Sequence, residues 1–430
     1  MHRRLDDIVA QLRCPACGGE DWCVSRDTAI VCTGCGVAHA FDGSVLTIAA
    51  AADDAVQAER AAVVASERAP DMGGHGTFDD FASATGPLRS ALLSLPWGDG
   101  STFFAEPGYF ANVRLSAEAF EFVRANVGLV PGARLLDVGA DLTWSTARLA
   151  QSGFDCTAID INHHLPLAGL FQRAFGVEYR LVNVDAHVGC FRDGAFDVVT
   201  AFSALHHSHR IETLIDNLGR SLVPGGRLGF VEPYCVTEDE RRRFGRDQIE
   251  LGINENVYTL DEWHRALVRA GFEQQVVWLS GSFNAVYIKN GSRTPESAAV
   301  GPLARFYRGS IDVIDPLPRT ARPGAVVAVT VRVRNASNAV WSSGGMTPVC
   351  LGYHVGRGTP DTTTISSIEH PRTDLPRAIP PGASVACTMD LVAPNEPGPY
   401  VIRIDLVHER VSWFRDRGFG SVIVPLAVGS

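Results

Sequence analysis

Apolar residues recur along this chain in three different rhythms, and each rhythm predicts a different architecture. Residues 1–48 hold short apolar stretches punctuated by cysteine. Between 111 and 290, strand-like and helix-like patterns alternate. Ser116–Val127 puts Phe120, Val123 and Val127 on one helical face before Pro131-Gly132 breaks the pattern. Strand candidates follow at RLLDVG (134–139), CTAID (156–160), YRLVNVD (179–185), FDVVTAF (196–202) and RLGFVEP (227–233), with VVWL (276–279) and NAVYI (284–288) close together at the end. Leu214, Ile215, Leu218 and Leu222 form a helical stripe, and Thr259-x-x-Glu262 reads as a capping box opening a helix that stops at Gly271. This alternation predicts a parallel sheet covered by helices, ending in an antiparallel pair.

From about 301 the helical period is gone. Val327, Val329, Val331 and Val333 alternate with polar or small residues, and the pattern recurs at Val349–Val355, Val385–Leu391, Tyr400–Leu406 and Val422–Val428. Turn signals such as Pro380-Pro381-Gly382 separate these strands, which indicates an immunoglobulin-like sandwich. The expected organisation is therefore multidomain: a small cysteine-bearing unit over 1–48, a helical or irregular connecting segment over 49–110, an α/β sheet over 111–290 and an all-β sandwich over 301–430. A Gly-rich break at Met72–Gly76 and a small polar stretch over Asn290–Val300 read as punctuation and linker.

Composition narrows the function classes. The chain has 430 residues, 46% of them hydrophobic and 20% charged, the profile of a soluble globular protein. No apolar run is long enough to cross a bilayer, and the N-terminus MHRRLDDIVAQLRC has charges where a signal peptide needs an apolar core. A cytoplasmic location is the expectation. The formal charge of −10 argues against a nucleic-acid backbone as partner, because no cationic run is visible.

Cys14/Cys17 and Cys32/Cys35 form two C-x-x-C pairs, and glycines at 18, 19, 34 and 36 suit the tight turns of zinc knuckles. Four thiolates close a tetrahedral site, so Cys14, Cys17, Cys32 and Cys35 read as ligands of a structural Zn2+. Core cysteines or a redox pair are the competing readings. LRCPACGGEDW and IVCTGCGVAHAFDGSVLTI resemble the small zinc-ribbon activator subunit of tRNA and protein methyltransferases, related ribbons of which are fused in front of bacterial methyltransferase domains.

Within 111–290, Asp137 and Gly139 end one strand, Asp160 ends the next 21 residues after Gly139, and Asp185 ends the third. Acidic strand ends in register suit recognition of a ribose at a crevice. LLDVG, AID, VNVDA, FDVVTAFSALHH and LVPGGRLGFVEP resemble class I S-adenosylmethionine-dependent methyltransferases, over roughly Tyr109 to Lys289. The resemblance implies a Rossmann-like seven-stranded methyltransferase sheet with S-adenosyl-L-methionine as cofactor. By it, Asp137 and Gly139 line the methionine end, Asp160 holds the ribose, Asp185 and Ala186 flank the adenine, and Phe202 borders the cofactor. Trp144-Ser145-Thr146 looks like a subgroup fused to zinc ribbons. One position departs: the family's glycine two places after Gly139 is Asp141, whose charge should weaken cofactor binding unless the side chain turns outward.

Methyl transfer to a hydroxyl profits from a nearby base. His206 and His207 follow the fourth strand and Glu232 ends the fifth, so these three are the catalytic candidates; His163 and His164 read as loop residues near the ribose. The expected function is methylation of a hydroxyl on a small molecule or glycan, in polysaccharide or secondary-metabolite biosynthesis. A methyltransferase-fold scaffold disabled by Asp141 and an RNA methyltransferase are the alternatives. VRNASNAVW, PPGASV and APNEPGPYVIRIDLVHERVSWF resemble immunoglobulin-like modules attached to bacterial enzymes of surface-polysaccharide biosynthesis, which implies a protein or substrate partner for the sandwich. Trp413 and Phe414 are either an exposed patch or part of its core.

Overall fold

The structure is a computed structural model and describes residues 2–25, 28–50, 54–66, 78–98, 107–128, 130–244, 246–250, 252–290, 303, 305–315, 317–358 and 370–429, with backbone only at 2–4, 107–115, 247 and 248. Met72–Gly76 and residues 291–300 of the expected linker lie outside the described residues. The chain divides into two compact units, Met1–Gln275 with Ser282–Ala299, and Val276–Gly281 with Val300–Ser430.

The first unit opens with helix α1 (His2–Val9) and strands β1 (Trp22–Ser25), β2 (Ala29–Cys32), β3 (Ala38–Phe41) and β4 (Val45–Thr47). Helices α2 (Asp54–Ser66) and α3 (Pro107–Asn126) follow. The alternating part comprises β5 (Arg134–Val138), α4 (Trp144–Gln151), β6 (Asp155–Asp160), α5 (Ala168–Phe175), β7 (Arg180–Asn183), β8 (Phe196–Phe202), α6 (Ile211–Ser221) and β9 (Leu222–Glu232), and closes with α7 (Leu260–Arg269), β10 (Phe272–Leu279), whose residues from Val276 on belong to the second unit, and β11 (Phe283–Lys289). The sheet runs β1-β2-β3-β4-β7-β6-β5-β8-β9-β11-β10. From β4 to β9 neighbouring strands are parallel, and β11 is antiparallel to β9.

The apolar runs make this sheet because both its faces are covered. Leu135, Leu136, Ala158, Val199, Ala201, Leu228 and Phe230 are all fully buried. The predicted helical stripe is buried at Leu214, Ile215 and Leu218, and the capping box is present: Glu262 N donates to Thr259 Oγ1 at 3.3 Å while Thr259 N donates to Glu262 Oε2 at 2.8 Å.

The four-cysteine segment is joined to this sheet instead of standing apart from it. β4 pairs with β7 through Val45–Leu181, Leu46–Val182 and Thr47–Asn183. Arg13 N donates to Cys190 O at 2.8 Å, Arg192 N donates to Gln11 O at 2.9 Å, and Thr157 Oγ1 donates to Gln11 Oε1 at 2.8 Å. A hairpin edge with open N–H and C=O groups thus finds the edge strand of the parallel sheet, and each satisfies the other.

In the second unit β12 (Gly309–Asp315), β13 (Val326–Asn335) and β15 (Ser384–Val392) form one antiparallel sheet; β16 (Gly398–His408) lies between β14 (Val349–Arg357) and β17 (Val422–Val428) in another. The alternation in β13 is real: Val329, Val331 and Val333 are buried and their neighbours face out. Phe414 is fully buried and meets Trp341 edge-on at 5.1 Å. Trp413 is half-buried, 4.2 Å from His354, with the Arg372 guanidinium over its ring at 4.5 Å. The pair is not an exposed patch, because flat aromatic surface finds more partners inside the sheet edge than in water.

Candidate active site and cysteine cluster

Two knuckles of the same shape carry the cysteines. Gly18 N donates to Cys14 O and Gly36 N donates to Cys32 O, both at 2.8 Å, and Gly18 and Gly36 take φ of 75° and 77°, where a side chain would be strained. Cys14 Sγ lies 3.6 Å from Cys35 Sγ, and Cys17 Sγ lies 3.6 Å from Cys32 Sγ. An ion bound tetrahedrally at about 2.3 Å from each sulfur needs sulfurs roughly 3.8 Å apart, so the donor set fits zinc with no position left open.

At the carboxyl ends of β5, β6 and β8 the chain turns sharply. Gly139 has φ of 67°, and a Cβ there would stand 2.2 Å from Ala204 Cβ, so no larger residue fits against the turn after β8. Asp141 and Thr143, where glycines would be easier, also take positive φ, 41° and 64°. Their side chains hold the strained loop. Asp141 Oδ1 accepts from Asn162 Nδ2 at 2.8 Å and lies 2.5 Å from His164 Nδ1, and Thr143 Oγ1 lies 2.9 Å from Tyr179 Oη. The carboxylate at 141 is therefore directed onto the segment after β6. Ser203, exposed at the end of β8, is a further strained residue with φ of 54°; nothing in its sequence context marked it.

Asp160 closes the base of this loop. Its Oδ2 accepts from Asp141 N and its Oδ1 from Asn162 N, both at 2.8 Å. Each oxygen keeps a lone pair for a further donor, which suits a pair of ribose hydroxyls. Burial and the nearby Asp141 charge push the Asp160 carboxyl up to about 6.

Asp137 is enclosed by protein hydroxyls. It is 1% exposed; Oδ2 accepts from Ser145 Oγ at 2.7 Å and Thr146 Oγ1 at 2.6 Å, and Oδ1 accepts from Thr200 Oγ1 at 2.8 Å. These bonds tie the start of α4 to β5 and β8. Ser145, Thr146 and Thr200 are its unforeseen partners. Asp185 Oδ1 accepts from His187 N at 2.9 Å and lies 2.6 Å from His187 Nδ1, whose ring continues to Ser208 Oγ at 2.7 Å. Ala186 starts the short turn after Asp185 and is half-buried. Phe202, also half-buried, packs 5.3 Å from Phe120 and 6.0 Å from Trp144.

The two candidate histidines lie in very different settings. His206 is 5% exposed: Nδ1 lies 2.7 Å from Glu232 Oε2 and Nε2 lies 3.1 Å from Glu255 Oε2. Burial opposes its charge, but the two glutamates prevail and push the imidazole up to about 9. A ring so held is a poor base near neutral pH. Glu232 is fully buried and also accepts from Ala204 N, Leu205 N and His206 N at 3.0, 2.8 and 3.2 Å, so it anchors the turn. His207 is more open; its Nδ1 lies 2.9 Å from Glu59 Oε1, an ion-pair contact without hydrogen-bond alignment, and its Nε2 lies 4.0 Å from Glu255 Oε1.

Glu59 and Glu255 were not foreseen. Glu59 sits in an Ala-rich stretch that reads as a connecting helix, yet α2 is fastened to the crevice by Arg60, whose Nε donates to Ile161 O at 2.8 Å and whose Nη2 donates to Asn183 Oδ1 at 3.3 Å. Only a buried carboxylate on an otherwise apolar helix face could have signalled it.

Residues 111–276 match the family model described as a methyltransferase domain. Over that segment the chain is similar to methyltransferase domains. Sterol 24-C-methyltransferase of Gibberella zeae is 30% identical to the chain over 210 residues, covering 45% of this chain and 54% of that protein. Demethylmenaquinone methyltransferase of Corynebacterium efficiens is 32% identical over 109 residues, 25% of this chain and 45% of that protein. The chain thus spans about half the length of these curated relatives. The solved YcgJ protein of Bacillus subtilis is 20% identical, covers 37% of this chain and 70% of that one, and has a TM-score of 0.35. The matched segment includes the loop after β5 and His206, His207, Glu232 and Glu255, but neither Glu59 nor the four cysteines. No described helix is long and apolar enough to cross a membrane.

Proposed function

We propose that the chain transfers a methyl group from S-adenosylmethionine to a hydroxyl of a small molecule or glycan. The observation that carries this reading is the convergence of Gly139, Asp160 and the His206-His207 turn at the carboxyl ends of adjacent parallel strands, the usual place for a ligand in such a sheet. The cofactor supplies an electrophilic methyl on a sulfonium. Asp160 would accept from both ribose hydroxyls, Gly139 would let the backbone pass close to the methionine end, and Ala186 and Phe202 would flank the rest. Asp137 holds the crevice in shape. His207, oriented by Glu59, is the better candidate for taking the acceptor's proton, since His206 is already committed to two glutamates. Zinc on Cys14, Cys17, Cys32 and Cys35 would be structural. The second unit, read as an immunoglobulin-like module, would present the acceptor or bind a protein partner.

Sterol and menaquinone methyltransferases among the relatives support a small-molecule acceptor. Isothermal calorimetry with S-adenosylmethionine tests the cofactor. Asp160→Ala removes charge-assisted hydrogen bonds worth about 1.5–3 kcal/mol each and should weaken binding by well over tenfold. Absence of binding to the unaltered chain would favour the competing reading, a scaffold disabled by the charge of Asp141. Release of S-adenosylhomocysteine in the presence of hydroxylated small molecules and oligosaccharides then identifies the acceptor class.

A further inference from the structure

We propose that His206, His207 and Glu255 form a binding site for a divalent transition-metal ion, separate from the four-cysteine cluster. Nδ1 or Nε2 of each ring and an oxygen of the carboxylate lie within 4.8 Å of one another. The arrangement is more specific than proximity. The two oxygens of Glu255 face different rings, Oε2 at 3.1 Å from His206 Nε2 and Oε1 at 4.0 Å from His207 Nε2. An ion about 2.1 Å from a nitrogen and an oxygen at a right angle separates them by about 3 Å, so the His206 contact already has that span and the His207 contact needs only a small closure.

The opposite side of each ring is also furnished. His206 Nδ1 meets Glu232 Oε2 at 2.7 Å, and His207 Nδ1 stands 2.9 Å from Glu59 Oε1, where a small turn of the ring would align a hydrogen bond. A carboxylate behind Nδ1, leaving Nε2 free to ligate, is the usual outer shell of a metal-bound histidine. The parts are held in place before any ion arrives. Asn256 N donates to His206 O at 3.2 Å, Asn254 Nδ2 donates to Glu59 Oε2 at 3.0 Å, and Glu232 gathers the amides of the turn. Glu59, Glu232 and Glu255 bring three carboxylates to two imidazoles. A dication held by the Nε2 lone pairs of the two rings would offset that negative charge.

Two imidazoles and one carboxylate suit iron(II), manganese, cobalt or zinc and leave coordination positions open. This part rests on the proposed O-methylation, with the ion taking the activating role otherwise given to His207: an acceptor hydroxyl entering an open position would lose its proton to water more readily.

The test uses the full chain with zinc on its thiolates, titrated with Co2+ and followed by ligand-field absorption. One Co2+ per chain is expected, with the weak bands of nitrogen and oxygen ligands and no sulfur-to-cobalt charge transfer. Glu255→Gln and His207→Ala should each weaken it at least tenfold, and Glu59→Gln by about 10–100-fold. Circular dichroism checks the fold of each variant, and Glu255→Gln is nearly isosteric should His207→Ala fail to fold. No Co2+ beyond the thiolate site, or an affinity unmoved by Glu255→Gln, overturns the inference. Because the readout needs neither cofactor nor turnover, Co2+ binding without S-adenosylmethionine binding would refute the methyltransferase reading alone, and the converse would refute the metal site alone.

Discussion

Leu46 lies directly opposite Val182 in a parallel strand pair, so the segment that carries the four cysteines is the continuation of the sheet that forms the crevice. Its neighbours β7 and β6 lead to Asp160, which is one strand away from that pairing.

The first prediction follows from this seam. Cys32→Ala should abolish zinc retention, and hydrogen exchange should accelerate at Arg180–Asn183 as well as in residues 29–48, because β7 loses the partner that satisfies its edge. Elemental analysis and exchange mass spectrometry read the two effects separately. Unchanged protection of β7 in a zinc-free variant would mean that the seam forms without the metal.

Asp160 gives a pH dependence. Its folded-state carboxyl lies near 6, raised by burial and by Asp141, so the folded chain holds the proton more tightly than the unfolded chain does. Its contribution to stability therefore declines as pH rises from about 4 through about 6. Cofactor affinity should run the other way, because ribose hydroxyls donate to the ionised form. Below pH about 6 the dissociation constant for S-adenosylmethionine should grow by up to about tenfold per unit. Asp141→Asn removes the neighbouring charge and should move that midpoint downward. A midpoint that stays in place in Asp141→Asn would exclude Asp141 as a cause.

Asp137 tests the difference between shaping a crevice and touching a ligand. Asp137→Ala strands three buried hydroxyls and should cost at least about 2 kcal/mol of stability. Asp137→Asn keeps an acceptor and should cost less. Denaturant melts of both variants, set beside their cofactor affinities, separate the roles. An Asp137→Asn chain with full stability but no cofactor binding would restore Asp137 as a direct ligand.

Much of the first unit was legible because periodicity reports burial. The seven strands from RLLDVG to NAVYI, the stripe on α6 and the capping box on α7 depend on residues a few positions apart, and local spacing alone carries that information. The knuckle glycines were legible for the same reason, since a turn of four residues has few ways to close. Asp160 was placed correctly at a strand end, while Asp137, identical in type and equally at a strand end, turned out to be enclosed by Ser145, Thr146 and Thr200.

What local pattern could not supply is which distant segments meet. The sequence alone determined the strands, the turns and the cysteine pairs, because hydrophobic period and backbone freedom are written in adjacent residues. Only the tertiary structure decided that β4 docks on β7, that Glu59 from an Ala-rich helix stands behind His207, and that Glu255 from a loop divides its two oxygens between neighbouring imidazoles. Those contacts join residues far apart in the chain, and a carboxylate's role there depends on which hydrogen-bond donors and charges the fold brings within about 3 Å of it.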